Sequence, residues 1–141
     1  VVLEASSPDG AARFLVRADW ADQPEYTLEL VLQDVDATRP LVYPVQYISA
    51  NGGEQVLLVP VVQGQFGPPA SLIRLPGFTA DSAAGWSAAA PAPVTSTTAW
   101  DVETVATSVH AALNEATRDA WRRVQELAGD DLSGVIGSEL P

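Results

Sequence analysis

The pattern of this chain predicts an α+β fold: an antiparallel β-meander of five to six strands, curled into a sandwich or partly open barrel, then a long C-terminal amphipathic helix packed on the sheet. Three observations carry that expectation. Apolar residues alternate with a period of two from Arg13 to about Val94, they recur at helical spacing from Trp100 onward, and Asn51-Gly52-Gly53 separates two of the alternating runs. At 141 residues, one domain is expected, with residues 1–12 a candidate disordered leader, 13–94 the β region and 95–141 the helical region.

The strands follow in order. Phe14, Val16 and Ala18 alternate with Arg13, Leu15 and Arg17, and Leu28, Leu30 and Leu32 alternate with Thr27, Glu29, Val31 and Gln33; the stretch from Asp19 to Glu25, with Pro24, is their hairpin loop. Val42 to Ser49 and Gln55 to Val62 flank Asn51-Gly52, a pair that supplies the positive φ a tight hairpin needs. The run from Val56 to Val62 is apolar on both faces, as expected of an inner strand covered on both sides, and Pro60 predicts a bulge or an early strand end. Gln63 to Ala70 is a loop, Ser71 to Leu75 a short fifth strand, Thr79 to Gly85 a flexible loop, and Trp86 to Ala90 a sixth strand.

In the helical region, Thr98 is the expected N-cap with Asp101 three residues on. Val102, Val105, Val109, Leu113, Ala116, Ala120, Val124 and Leu127 form one continuous apolar stripe with Trp121 beside it, and Arg122 is placed to meet Glu126. Gly129 reads as the residue just past the helix end, and Asp130 or Asp131 as the cap of a short second helix through Leu132, Val135 and Ile136. Strands followed by a capping helix that contains a tryptophan are similar in outline to pleckstrin-homology-like domains. The first hairpin lacks the lysine and arginine cluster of phosphoinositide binding, and no family follows from the outline.

Composition narrows the function classes. Eighteen acids against seven arginines give a net charge of −11, which disfavours binding to nucleic acid or to anionic membranes, and no apolar run is long enough for membrane insertion. An acidic surface suits a protein partner with a basic surface. The chain has no cysteine, no lysine, no methionine and a single histidine, His110, with Ala106 and Asn114 at the positions four residues away, so neither a helical zinc pair nor a metal or other cofactor is expected. No Gly-x-Ser-x-Gly elbow accompanies that histidine, which argues against serine catalysis. With no methionine at its start, the chain is expected to be excised from a longer protein, and a cytoplasmic setting is favoured slightly over secretion.

The expectation for function is a non-catalytic protein-interaction or accessory domain. The alternatives are a carrier of a small apolar ligand, or an acidic inhibitor or immunity-type protein covering a basic surface. The candidate contact residues are Phe66, on a loop stiffened by Pro68 and Pro69, Trp20 in the first hairpin loop, Trp86 after a glycine in a soft segment, and the acidic pair Asp34 and Asp36. In urea unfolding, Leu30→Asp and Trp121→Ala are each expected to cost about 3 kcal/mol or more, by burying a charge or opening a cavity. His110→Ala should stay within about 0.5 kcal/mol of the parent.

Overall fold

The hairpin around Asn51 sets the register of one of two sheets. Gly52 takes φ +84°, its N–H donates to the Ser49 carbonyl, and the Ser49 N–H donates to the Gly53 carbonyl; a side chain at Gly52 would be strained in this left-handed conformation. The turn joins β4 (Leu41–Ile48) to β5 (Glu54–Val61), antiparallel with Tyr43 opposite Val59 and Val45 opposite Leu57. The computed structural model describes residues 3–8, 10, 12–19, 25–32, 40–62 and 70–140.

Two antiparallel sheets face each other. One has the order β1-β2-β3-β6, from β1 (Leu3–Ser6), β2 (Ala12–Asp19), β3 (Glu25–Leu32) and β6 (Ala70–Arg74). In the other, β4 is flanked by β5 on one side and by the two-residue strands β7 (Ser87–Ala88) and β8 (Ala92–Pro93) on the other. The meander and its helical cover match the sequence pattern, with a strand added at Leu3–Ser6, inside the leader expected to be disordered. Alternation explains the core: Phe14, Val16, Leu28, Leu30 and Ile73 from one sheet meet Tyr43, Val45, Tyr47, Leu57 and Val59 from the other, all buried.

The outer face of the second sheet carries a second core. Leu58 of β5 and Val42 of β4 pack against Val105, Val109, Trp121, Val124 and Ile136. β5 is therefore covered on both faces, as its uninterrupted apolar run predicts, yet it is an edge strand in hydrogen-bonding order. This placement accounts for Pro60. It pairs opposite Val42 without bulge or early termination, and its missing N–H falls on the free side, where its carbonyl accepts from the Ser71 hydroxyl. Pro44, in the central strand, lies where the flanking ladder is broken between β7 and β8. Its carbonyl accepts from the Ala89 N–H at 2.9 Å, so its nitrogen points into that same gap.

The single long helix of the sequence pattern is two, α1 (Val102–His110) and α2 (Glu115–Leu127), while the expected second helix through Leu132, Val135 and Ile136 is α3 (Asp130–Glu139), with Gly129 at its N-cap in place of Asp130 or Asp131. The break has a specific cause. Between α1 and α2 the backbone is diverted to the open edge of β6, where the Ala111 carbonyl accepts from the Arg74 N–H at 2.8 Å and the Leu113 N–H donates to the Leu72 carbonyl at 3.0 Å. Asn114 then restarts the helix, its side-chain oxygen accepting from the Thr117 N–H at 2.8 Å. The interruption shifts the phase of the apolar stripe, so α2 buries Thr117, Ala120, Trp121 and Val124, while Ala116 is exposed and Val102 and Leu127 stand 52% and 43% exposed. His110 is exposed in the last turn of α1. No helix among the described residues is long and apolar enough to cross a membrane.

Several local expectations are corrected by the same geometry. The cap of α1 is Asp101, which accepts from the Thr104 N–H at 3.0 Å, because Thr98 is held in a turn with Thr95. Arg122 reaches back one turn to Asp119 and two turns to Glu115, following the tilt of helical side chains towards the N-terminus, and it is Arg123 that meets Glu126. The segment from Thr79 to Gly85 is a 3-10 helix, Ala80–Gly85, fixed by a Thr79–Ser82 capping box and by the Ser82 hydroxyl donating to the Ile48 carbonyl.

Helices and sheets are joined by two buried hydroxyls. The Leu58 N–H of β5 donates to the Ser108 Oγ at 2.9 Å, and the Leu72 N–H of β6 donates to the Thr117 Oγ1 at 2.8 Å. Thr117→Val and Ser108→Ala should each cost about 1–3 kcal/mol, because a buried amide loses its acceptor. Hydrogen exchange is the direct check: Leu72 and Leu58 amides, respectively, should exchange faster in the variant. Unchanged rates would remove this account of the helix–sheet junction.

Candidate functional site

A polar cleft of about 450 Å³ opens where residues 96–99 pass the start of α3, lined on its other wall by residues 129–132. The first wall is a hydroxyl-bonded turn: the Thr98 N–H donates to the Thr95 carbonyl, the Thr95 N–H to the Thr98 Oγ1 at 2.8 Å, and the Thr97 N–H to the Thr95 Oγ1. Gly129 brings the second wall close. It serves as N-cap of α3 with φ −65°, and a Cβ there would stand 2.6 Å from the Ser96 carbonyl oxygen. Close approach, not left-handed backbone, is thus the reason for glycine at this position.

Asp130 and Asp131 occupy the first turn of α3, exposed, and are the ionisable side chains of the cleft. They favour the positive end of the α3 dipole. The acids of α2 differ, since Glu115, Asp119 and Glu126 are each paired with Arg118, Arg122 or Arg123. Among the described residues Asp130, Asp131, Glu103 and Glu139 have no such cation, so the unneutralised charge of the helical layer gathers at helix ends. Two carboxylates beside serine and threonine hydroxyls form an array of acceptors. It suits a cationic donor such as a guanidinium or an ammonium group.

The residues singled out from the sequence are not gathered in this cleft. Trp20, Asp34, Asp36 and Phe66 lie outside the described residues. The strand ends beside them diverge: Asp19 and Glu25, which bracket Trp20, pair at one end of the first sheet, whereas Leu32, Val61 and Ala70, which bracket segments 33–39 and 63–69, lie at the opposite end. Trp86 is a half-buried part of the sandwich core. It stacks on Tyr47 with ring centroids 6.4 Å apart and planes 8° from parallel, and it meets Phe14 edge-on at 5.9 Å. Its indole N–H is buried and has no hydrogen-bond partner among the described residues.

The space between helices and sheet is filled by Leu58, Val42, Trp121, Val124 and Ile136. Among the described residues no group of three or more His, Asp or Glu is placed to hold a metal ion. Asp130, Asp131 and Gly129 were visible in the sequence only as helix-boundary residues. Their proximity to residues 96–99 spans about thirty positions and has no local signal. The chain matches no protein-family model, no curated protein and no solved structure.

Tyr47, under Trp86, supplies a pH test of this region. Its hydroxyl donates to the Pro76 carbonyl, and burial pushes its ionisation upward from the ordinary phenol value of 10.0. The folded state therefore keeps a proton that the unfolded chain releases, and the corresponding stability is present below pH 10 and lost as pH rises above it. Urea unfolding between about pH 8 and pH 11 should show a steeper alkaline loss in the parent than in Tyr47→Phe. Equal slopes would contradict this assignment.

Proposed function

We propose that this chain is a non-catalytic protein-interaction domain that receives a basic partner at the acidic, hydroxyl-lined cleft beside α3. The cleft is the observation that carries the reading: it is open, polar and about 450 Å³ in volume, and its ionisable lining is Asp130 and Asp131. A net charge of −11 supports the same reading, because a strongly acidic chain steers cationic partners towards it and repels anionic ones. The alternative of an apolar-ligand carrier draws less support, since apolar side chains fill the layers between both sheets and between sheet and helices. An inhibitor of a basic surface would use the same attraction and differs only in what the partner does once covered.

The test is titration of the isotope-labelled chain with a panel of arginine- and lysine-containing peptides, followed by amide NMR. Shifts should concentrate on residues 96–99 and 129–132. Replacing both acids, in Asp130→Asn/Asp131→Asn, should weaken the best peptide by roughly 3- to 30-fold, as expected for two exposed ion pairs, and added salt should do the same. Shifts spread evenly over all acidic segments, or affinity indifferent to the double substitution, would count against the cleft.

A further inference from the structure

The strand edges of the two sheets are not treated alike. The open side of β6 is occupied by residues 111–113 and the Thr117 hydroxyl, that of β5 by the Ser108 and Ser71 hydroxyls, and β7 and β8 are two residues long with Pro91 and Pro93 beside or within them. Such coverage, shortness and proline are the means by which edges are kept from pairing. Among the described residues β1 pairs with β2 alone; it has no proline within it and, at four residues, is twice as long as β7 or β8.

The direction of its backbone groups follows from one bond. The Ser7 N–H donates to the Ala12 carbonyl, so by alternation Ala5 and Leu3 turn their backbone groups towards β2, while Glu4 and Ser6 turn theirs outward. Those outward groups have no partner among the described residues. Side-chain direction is set by the same register: Leu3 and Ala5, half-buried, lie on the core side, and Glu4 and Ser6 are exposed on the outer face.

We infer that the β1 edge pairs antiparallel with β1 of a second copy of this chain, about a two-fold axis at Ala5. The register is self-complementary. Glu4 of each copy falls opposite Ser6 of the other, and the two outward-facing pairs exchange four backbone hydrogen bonds. Ala5 meets its counterpart on the core side, where a small side chain permits the close approach of a non-hydrogen-bonded pair, and the two Leu3 side chains gain cover.

Charge complementarity selects a copy of the same chain. Arg13 lies beside Ser6 in the next strand and already pairs with Glu4 of its own chain, both side chains about half exposed. In the paired edge, Glu4 of the second copy stands two strands from Arg13, roughly 10 Å between backbones, a span that the extended side chains bridge. Each arginine then has a second carboxylate within reach, and the two Glu4 side chains lie diagonally across the axis, flanked by the two arginines. The net −11 of each copy opposes association over long distances. At about 0.15 M salt, with a Debye length of about 8 Å, that repulsion is screened more than the local contacts.

Sedimentation of the chain from about 10 µM to about 1 mM should reveal a monomer–dimer equilibrium that strengthens as salt rises from low concentration to about 0.15 M. Ser6→Pro removes only an outward N–H and leaves the ladder to β2 complete, and it should weaken association roughly tenfold or more. Glu4→Arg should weaken it as well, and Glu4→Arg/Arg13→Glu should restore it. Hydrogen exchange on the parent chain guards against a variant that fails to fold: the Glu4 and Ser6 amides should become protected as concentration rises, while Ala5 is protected throughout. A chain that stays monomeric over the whole range, or a dimer in which the Glu4 and Ser6 amides remain unprotected, overturns the inference.

Discussion

Two backbone edges facing the same side of a sandwich must find hydrogen-bond partners, and the rest of this fold is arranged around how they do. Leu58 of β5 and Leu72 of β6 direct their N–H groups away from their sheets, into a region covered by helices. A buried amide without an acceptor costs about 1–3 kcal/mol. Ser108 and Thr117 supply the acceptors from two different helices, and the segment between those helices adds its own backbone to β6. The helix break, the position of α2 and the burial of Trp121 all follow from that attachment. A straight helix from residue 102 to 127 would leave the β6 edge without its backbone partners.

The distribution of charge follows a second constraint. α2 is rich in both signs, and its arginines are consumed by its own acids one turn away. Among the described residues, what remains of the excess negative charge in the helical layer lies mostly at Asp101, Glu103, Asp130 and Asp131, where helix N-termini favour it, with Glu139 at the other end of α3. The same residues that stabilise helix starts therefore give the cleft its sign. Structural and interaction roles are superposed here: a carboxylate in a first helical turn still projects lone pairs towards a ligand.

Much of the strand layout was legible because period-two alternation is a local property with a direct physical cause. Asn51-Gly52 locates its hairpin, and the observed spans of β2 to β6 differ from the alternating runs by a residue or two. Pro60 was a sound signal with a different meaning: an edge strand satisfies it as well as a bulge does. Asn114 is a strong capping residue set in the middle of an apolar stripe whose spacing runs on through it, so periodicity carries no mark of the break. Trp86 follows a glycine in a soft segment, and two ring contacts from distant strands fix its place in the core. The cleft was not legible, since its walls come from segments whose separate patterns concern only capping and turns.

By itself the sequence determined the α+β class, the alternating strands and their core faces, the amphipathic helical region and the strongly acidic balance, because each depends on residues within a turn or a strand of one another. Only the tertiary structure decided where the helical region breaks, which strands are edges, which acids are neutralised and which walls meet at Gly129. These depend on backbone groups far apart in the chain satisfying one another. The hydrogen bonds that tie residues 111–113 and Thr117 to β6 accompany the break in the helix, and they leave no periodic trace in either segment.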